Sequence, residues 1–150
     1  MIRVLLALPM LAMSQPSTPG KGDLSLRPLI GQDRLNGAVC SFWLEGGDEY
    51  RSDVFQWDSN EAWINITGQD VPVKLVKQRY LSVRPDAASI GDRQVLEFSG
   101  TDLRVTLRTR TTKVCAKLDT ECEERSVAGE LQVIARGWSR RAKVKGWCGS

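Results

Sequence analysis

Ser126-Val-Ala-Gly-Glu-Leu-Gln-Val-Ile-Ala-Arg136, followed by Gly137-Trp138-Ser139 and then by Arg140-Arg-Ala-Lys-Val-Lys-Gly-Trp-Cys148, is the stretch on which the fold turns. It reads as two β-strands joined by a short turn, an antiparallel pair at the end of the chain. Its last cysteine, Cys148, is expected to tie back to Cys40, where the folded domain begins. If the two face each other on neighbouring antiparallel strands, opposed positions sum to 188. Phe42 then faces Gly146 and Leu44 faces Val144 on one side. On the other side Ser41 faces Trp147, Trp43 faces Lys145 as a cation–π contact, and Glu45 faces Lys143 as an ion pair. The alternative is a disulfide between two packed sheets, for which no such register follows.

Working back towards the N-terminus, the period stays at two. Candidate strands are Val39–Leu44, Ser52–Trp57, Ala62–Ile66, Val71–Val76, Arg79–Val83, Gln94–Phe98 and Leu103–Thr111. Turn residues separate them, among them Gly46-Gly47-Asp48, Asp58-Ser59-Asn60, Thr67-Gly68-Gln69-Asp70 and Ser99-Gly100-Thr101-Asp102. Short strands at such even spacing predict an all-β fold, an antiparallel sandwich or small barrel of about eight strands. No stretch of helical length has a clean 3.6 period, and no longer repeat is present.

The first 14 residues are expected to be a signal peptide. A short positive start, Met1-Ile2-Arg3, precedes the apolar run Val4–Met13, and Ala12-Met13-Ser14 supplies the small residues of a cleavage site. The run is too short to span a bilayer, which takes about 20 residues. Residues 15–37 read as a flexible tether rich in Pro, Gly, Ser and Thr, with Pro28, Gly31 and Gly37 breaking any long element. A single β domain is expected over 38–150. Without Arg3 the chain carries 20 basic and 18 acidic residues, a net +2. That balance argues against a specific nucleic-acid binder, and no later segment is apolar enough to cross a membrane. A periplasmic or secreted protein is expected, with its oligomeric state open.

The four cysteines, Cys40, Cys115, Cys122 and Cys148, suit disulfides in an exported chain. Three pairings are open. Cys115–Cys122 with Cys40–Cys148 is favoured, because the first pair brackets a polar loop, Ala-Lys-Leu-Asp-Thr-Glu, whose ends lie close together. Chain-entropy reasoning gives about 2.5 kcal/mol for the short loop and about 4.7 kcal/mol for the long one. Zinc is the rival, but there is no Cys-x-x-Cys and no histidine.

Catalytic chemistry finds little to stand on. Without histidine the commonest general base is missing, together with any Ser-His-Asp or Cys-His arrangement. No nucleophile elbow and no phosphate loop is present. Glu45, Asp48, Glu49, Asp53, Asp58 and Glu61 cluster in sequence, which leaves a carboxylate-based hydrolase as one alternative. A non-catalytic protein without metal or cofactor is the main expectation. Asp58-Ser59-Asn60-Glu61 reads as an Asx-type turn rather than a calcium loop. Asn65-Ile66-Thr67 matches a glycosylation acceptor by chance. The candidate binding residues are Arg140, Arg141, Lys143, Lys145 and Trp147, a basic block interleaved with tryptophan, with Arg104, Arg108 and Arg110 as a second basic run. They suit an anionic envelope polymer, or an envelope protein, as partner. The opposing expectation pairs these strand faces with the acidic segment Glu45–Glu61.

Several stretches together resemble a family of small exported bacterial proteins known mainly as uncharacterised, many ending in a glycine- and cysteine-rich tail. They are Cys40-Ser-Phe42, Ala62-Trp-Ile-Asn65, Gly68-Gln-Asp-Val71 with Val73 and Leu75, Gly91-Asp92, Leu103-Arg-Val105, Cys115 with Glu121-Cys-Glu123, and Lys145-Gly-Trp-Cys-Gly149. That resemblance spans residues 38–149 and implies export, disulfides and β structure, with no activity attached. In size, export, disulfide use and barrel form the chain is also similar to periplasmic inhibitors of C-type lysozyme. There Ala88-Ser89-Ile90-Gly91-Asp92 stands where such inhibitors carry a Ser-Ala-Ser-Gly-like loop, and Ile90 interrupts the pattern.

Overall fold

The computed structural model of the chain describes residues 25–31, 40–47, 52–82, 89–115 and 124–149. Eight antiparallel strands follow one another around a closed barrel, each paired with its neighbours in sequence, and the last with the first. They are β1 (Cys40–Leu44), β2 (Asp53–Trp57), β3 (Glu61–Ile66), β4 (Gln69–Tyr80), β5 (Arg93–Gly100), β6 (Leu103–Lys113), β7 (Glu124–Ala135) and β8 (Trp138–Gly149). Closure between β1 and β8 settles sandwich against barrel.

The closing register is the one expected if Cys40 and Cys148 face each other on neighbouring strands. Cys40 opposes Cys148, Ser41 Trp147, Phe42 Gly146, Trp43 Lys145 and Leu44 Val144. The disulfide joins Cys40 to Cys148, with their Cα atoms 4.0 Å apart. Cys115 is also disulfide-bonded; its expected partner, Cys122, lies outside the described residues.

Two-residue turns set much of the geometry. Thr67-Gly68 and Arg136-Gly137 have positive φ at both positions, as type I′ hairpin turns require and as right-twisted strands prefer. The β7–β8 turn is therefore Arg136-Gly137, not Gly137-Trp138-Ser139, and β8 starts at Trp138. Val71–Val76 and Arg79–Val83 are not two strands. Val71–Val76 and Arg79–Tyr80 run on as β4, because a bulge between Leu75 and Lys77 shifts the parity and hides the continuity; the strand ends at Tyr80, and Val83 lies outside the described residues.

Alternation sends one set of side chains into the barrel. Phe42, Phe55, Phe98, Ile64, Leu96, Leu107, Leu131, Val73, Val105, Val133 and Val144 are fully buried. An eight-stranded barrel is just wide enough for its own side chains to fill. Phe55 meets Phe98 edge-on with ring centroids 5.1 Å apart, and Phe98 meets Trp57 at 6.2 Å. Gly146 makes room for this packing. A Cβ there would run into the Ser41 carbonyl oxygen and the Phe42 ring.

The outward face of β1–β3 is also covered. Ser41, Trp43, Gln56 and Asn65 are buried although they point away from the core. Residues 25–31, inside the stretch expected as a tether, pack on the barrel here. Leu26 bridges to Ile66 beside β3, and the Leu29 amide donates to the Asp53 carbonyl. The Ile30 and Gly31 amides donate to the Asp70 carboxylate. Leu26 and Leu29 end up buried.

Candidate functional site: the basic outer wall

The register decides where each basic residue of the last strand goes. Inward positions of β8 run Arg140, Ala142, Val144, Gly146 and Cys148, since Ala142 opposes Leu131 and Val144 opposes Gly129. Arg140 opposes Val133 and lies on the lumen side, half-buried, with a partner of its own. Arg141, Lys143, Lys145 and Trp147 point outward. The structure thus separates Arg140 from the other four candidate residues.

Further cations surround them. Outward positions carry Lys74, Lys77 and Arg79 on β4, Arg93 on β5, and Arg104, Arg108 and Arg110 on β6. From Lys74 round to Lys145, the acids at outward strand positions whose side chains are described are Glu97 and Glu130. Glu97 lies 3.6 Å from Arg79. Glu130 is shared, 3.9 Å from Arg108 and 4.0 Å from Arg141, all partly exposed. Such long surface pairs are worth about 0–1 kcal/mol and neutralise little.

One row across the wall has no acid. Arg93 opposes Arg110, Arg110 opposes Ala128, and Ala128 opposes Lys145. Neighbouring strands lie about 4.8 Å apart, so the row runs about 14 Å. Two arginines directly opposed are unfavourable by themselves, and the small Ala128 leaves an opening between Arg110 and Lys145. Neither Trp43–Lys145 nor Glu45–Lys143 forms the contact expected from the register. Trp43 is held in the covered face beside Asp53. Glu45 lies past the end of β1, where only its backbone amide reaches Lys143. Lys143 and Lys145 therefore stay unpaired among the described residues. The acids Asp53, Asp58 and Glu61 belong to β2, β3 and the turn between them, away from the β6 and β8 cations. Asp48 and Glu49 lie outside the described residues.

The remaining candidate motifs resolve locally. The Asp58 carboxylate accepts from the Asn60 and Glu61 amides, an Asx turn. Asn65 is fully buried, donates to Asp70 and accepts from Gly68 N–H, so it is no glycan acceptor. Of the inhibitor-like loop, Ala88 lies outside the described residues. Ser89 to Asp92 form a tight turn with Gly91 at φ 93° and Ile90 exposed. Burial raises the Asp53 carboxyl above its ordinary 3.8, while hydrogen bonds from Gln56 and Ser41 pull it down. Among the described residues no cluster of His, Cys, Asp and Glu could hold a metal ion.

Fold and wall together define a class: a closed eight-stranded antiparallel barrel with a filled interior and one strongly basic outer side. No family model, curated protein or solved structure matches the chain.

Proposed function

We propose that the protein is a non-catalytic, exported binding module whose outer wall over β4–β8 holds an anionic envelope polymer. The observation that carries this reading is the acid-free row Arg93–Arg110–Lys145, opposed like charges that a string of phosphates or carboxylates would relieve. Two features support it further. The interior is packed with side chains, so the surface rather than the lumen is the place for a ligand. The wall carries cations where a membrane barrel needs an outward apolar band, and no helix among the described residues is long and apolar enough to cross a membrane. Its outward strand positions hold one aromatic side chain among the described residues, Trp147 on β8, so successive bases would find no row of stacking platforms. An acidic glycan therefore fits better than single-stranded nucleic acid.

The test is binding of purified protein to lipopolysaccharide over a salt series. Log affinity should fall linearly with log salt, with the slope reduced by about 0.7–0.9 for each phosphate contact removed. Arg110→Ser with Lys145→Ser should lower both affinity and slope. Undetectable binding at low salt removes the reading, and tighter binding to single-stranded DNA replaces the glycan by nucleic acid.

A further inference from the structure

The wall is incomplete below β3. Strand β3 pairs with β4 only as far as Glu61 opposite Lys74, and one further bond runs from the Leu75 amide to the Asn60 carbonyl. Strand β4 continues to Tyr80, paired among the described residues on its β5 side alone. Lys77, Gln78, Arg79 and Tyr80 oppose Glu97, Leu96, Val95 and Gln94 without a shift, and the Leu81 amide donates to the Arg93 carbonyl. Backbone groups alternate in an antiparallel ladder. Those of Lys77, Arg79 and Leu81 therefore turn towards β5, and those of Gln78 and Tyr80 turn away into the gap. Among the described residues no other segment covers this edge: Val76 is 62 % exposed, Tyr80 55 % and Leu81 59 %.

The geometry points to this edge as a docking site for an extended acidic peptide of a partner protein, added antiparallel to β4 where β3 stops. The Gln78 and Tyr80 backbones would supply two N–H donors and two C=O acceptors, which is how strand addition gains affinity. Alternate side chains of the peptide would lie beside Lys77 and Arg79 on the outward face. Lys77 is unpaired among the described residues, and Glu97, the acid opposite it on β5, is already beside Arg79. Opposite charges across a strand pair stabilise it, and like charges oppose it. The same cations argue against a second copy of this chain, since a two-fold pairing centred on Gln78 sets Lys77 against Arg79 of the copy. Lys77 and Arg79 also belong to the basic wall, but this inference does not rest on polymer binding, because the backbone groups of Gln78 and Tyr80 carry it.

Amide hydrogen exchange of the isotope-labelled full chain tests it. The probe is a short capped peptide alternating glutamate with serine or valine, and the control carries lysine for every glutamate. At free peptide about ten times its Kd, exchange at Gln78 and Tyr80 should slow about tenfold, with Arg110 and Lys145 unaffected. The lysine peptide should do nothing. The folded surface variant Lys77→Glu with Arg79→Glu should reverse the preference. Slowing by neither peptide at millimolar concentration overturns the proposal, as does equal slowing by both. Protection that rises with protein concentration alone assigns the edge to self-association instead and overturns it too.

Discussion

At the scale of single residues, two positions show how closely side-chain choice follows the barrel. Gly146 faces inward, where a Cβ would strike the Ser41 backbone and the Phe42 ring, whereas a Cβ at Gly149 meets nothing. Gly146→Ala should cost about 1–3 kcal/mol through overpacking, and Gly149→Ala should be close to neutral; urea unfolding of the two variants checks the contrast. Asp53 is the second case. Its burial makes the folded state hold a proton more tightly than the unfolded chain does. Stability therefore falls as pH rises from about 3.8 through the raised pKa. Asp53→Asn, which stays neutral, should be more stable than wild type at pH 7 and lose that advantage below 3.8. The carboxyl is only half-buried, so the gain should stay under about 1 kcal/mol. Paired unfolding curves at the two pH values decide it. A variant that gains on wild type as the solution is acidified would contradict the assignment.

Elements show why part of the fold could be read from sequence and part could not. A period of two survives wherever one face meets the core, so Phe42, Leu44, Leu107 and Val133 could be placed before any coordinates. A single cysteine pair then fixed the β1–β8 register over Cys40 to Leu44. Strand β4 reads as two from sequence because Val76, the extra residue at its bulge, breaks the parity. Residues 25–31 read as tether because Pro28 and Gly31 interrupt every period, whereas the fold buries Leu26 and Leu29 against the barrel. The disulfide spans 108 residues. Replacing Cys40 and Cys148 together by serine should therefore cost about 2–5 kcal/mol, read as a lower urea midpoint against the oxidised parent. A variant as stable as the parent would mean that the barrel closes without help from the bond.

Over the whole molecule the feature that matters is separation of charge in space rather than net charge. A formal net charge of +3 suggests little, yet acids of β2 and β3 sit on one side of the barrel and the cations of β4 to β8 on the other. Arg141, Lys143 and Lys145 could be singled out from sequence because they lie two apart on one strand. The row Arg93–Arg110–Lys145 could not, because its members come from three strands and meet only through the register. Arg140 groups with them by sequence adjacency and parts from them by parity. Position and net charge can be separated by experiment. Arg110→Ser with Lys145→Ser removes two cations from the row, and Arg27→Ser with Arg136→Asn removes two from outside it, Arg136 being already paired with Asp102, leaving equal net charge. Affinity for lipopolysaccharide at fixed low salt, measured on both double variants, is the most direct test. The wall variant should lose about tenfold or more, at about 1 kcal/mol per cation, while the other stays within about twofold of the parent. Equal losses in the two variants would show that net charge alone drives binding and would contradict a site on the wall.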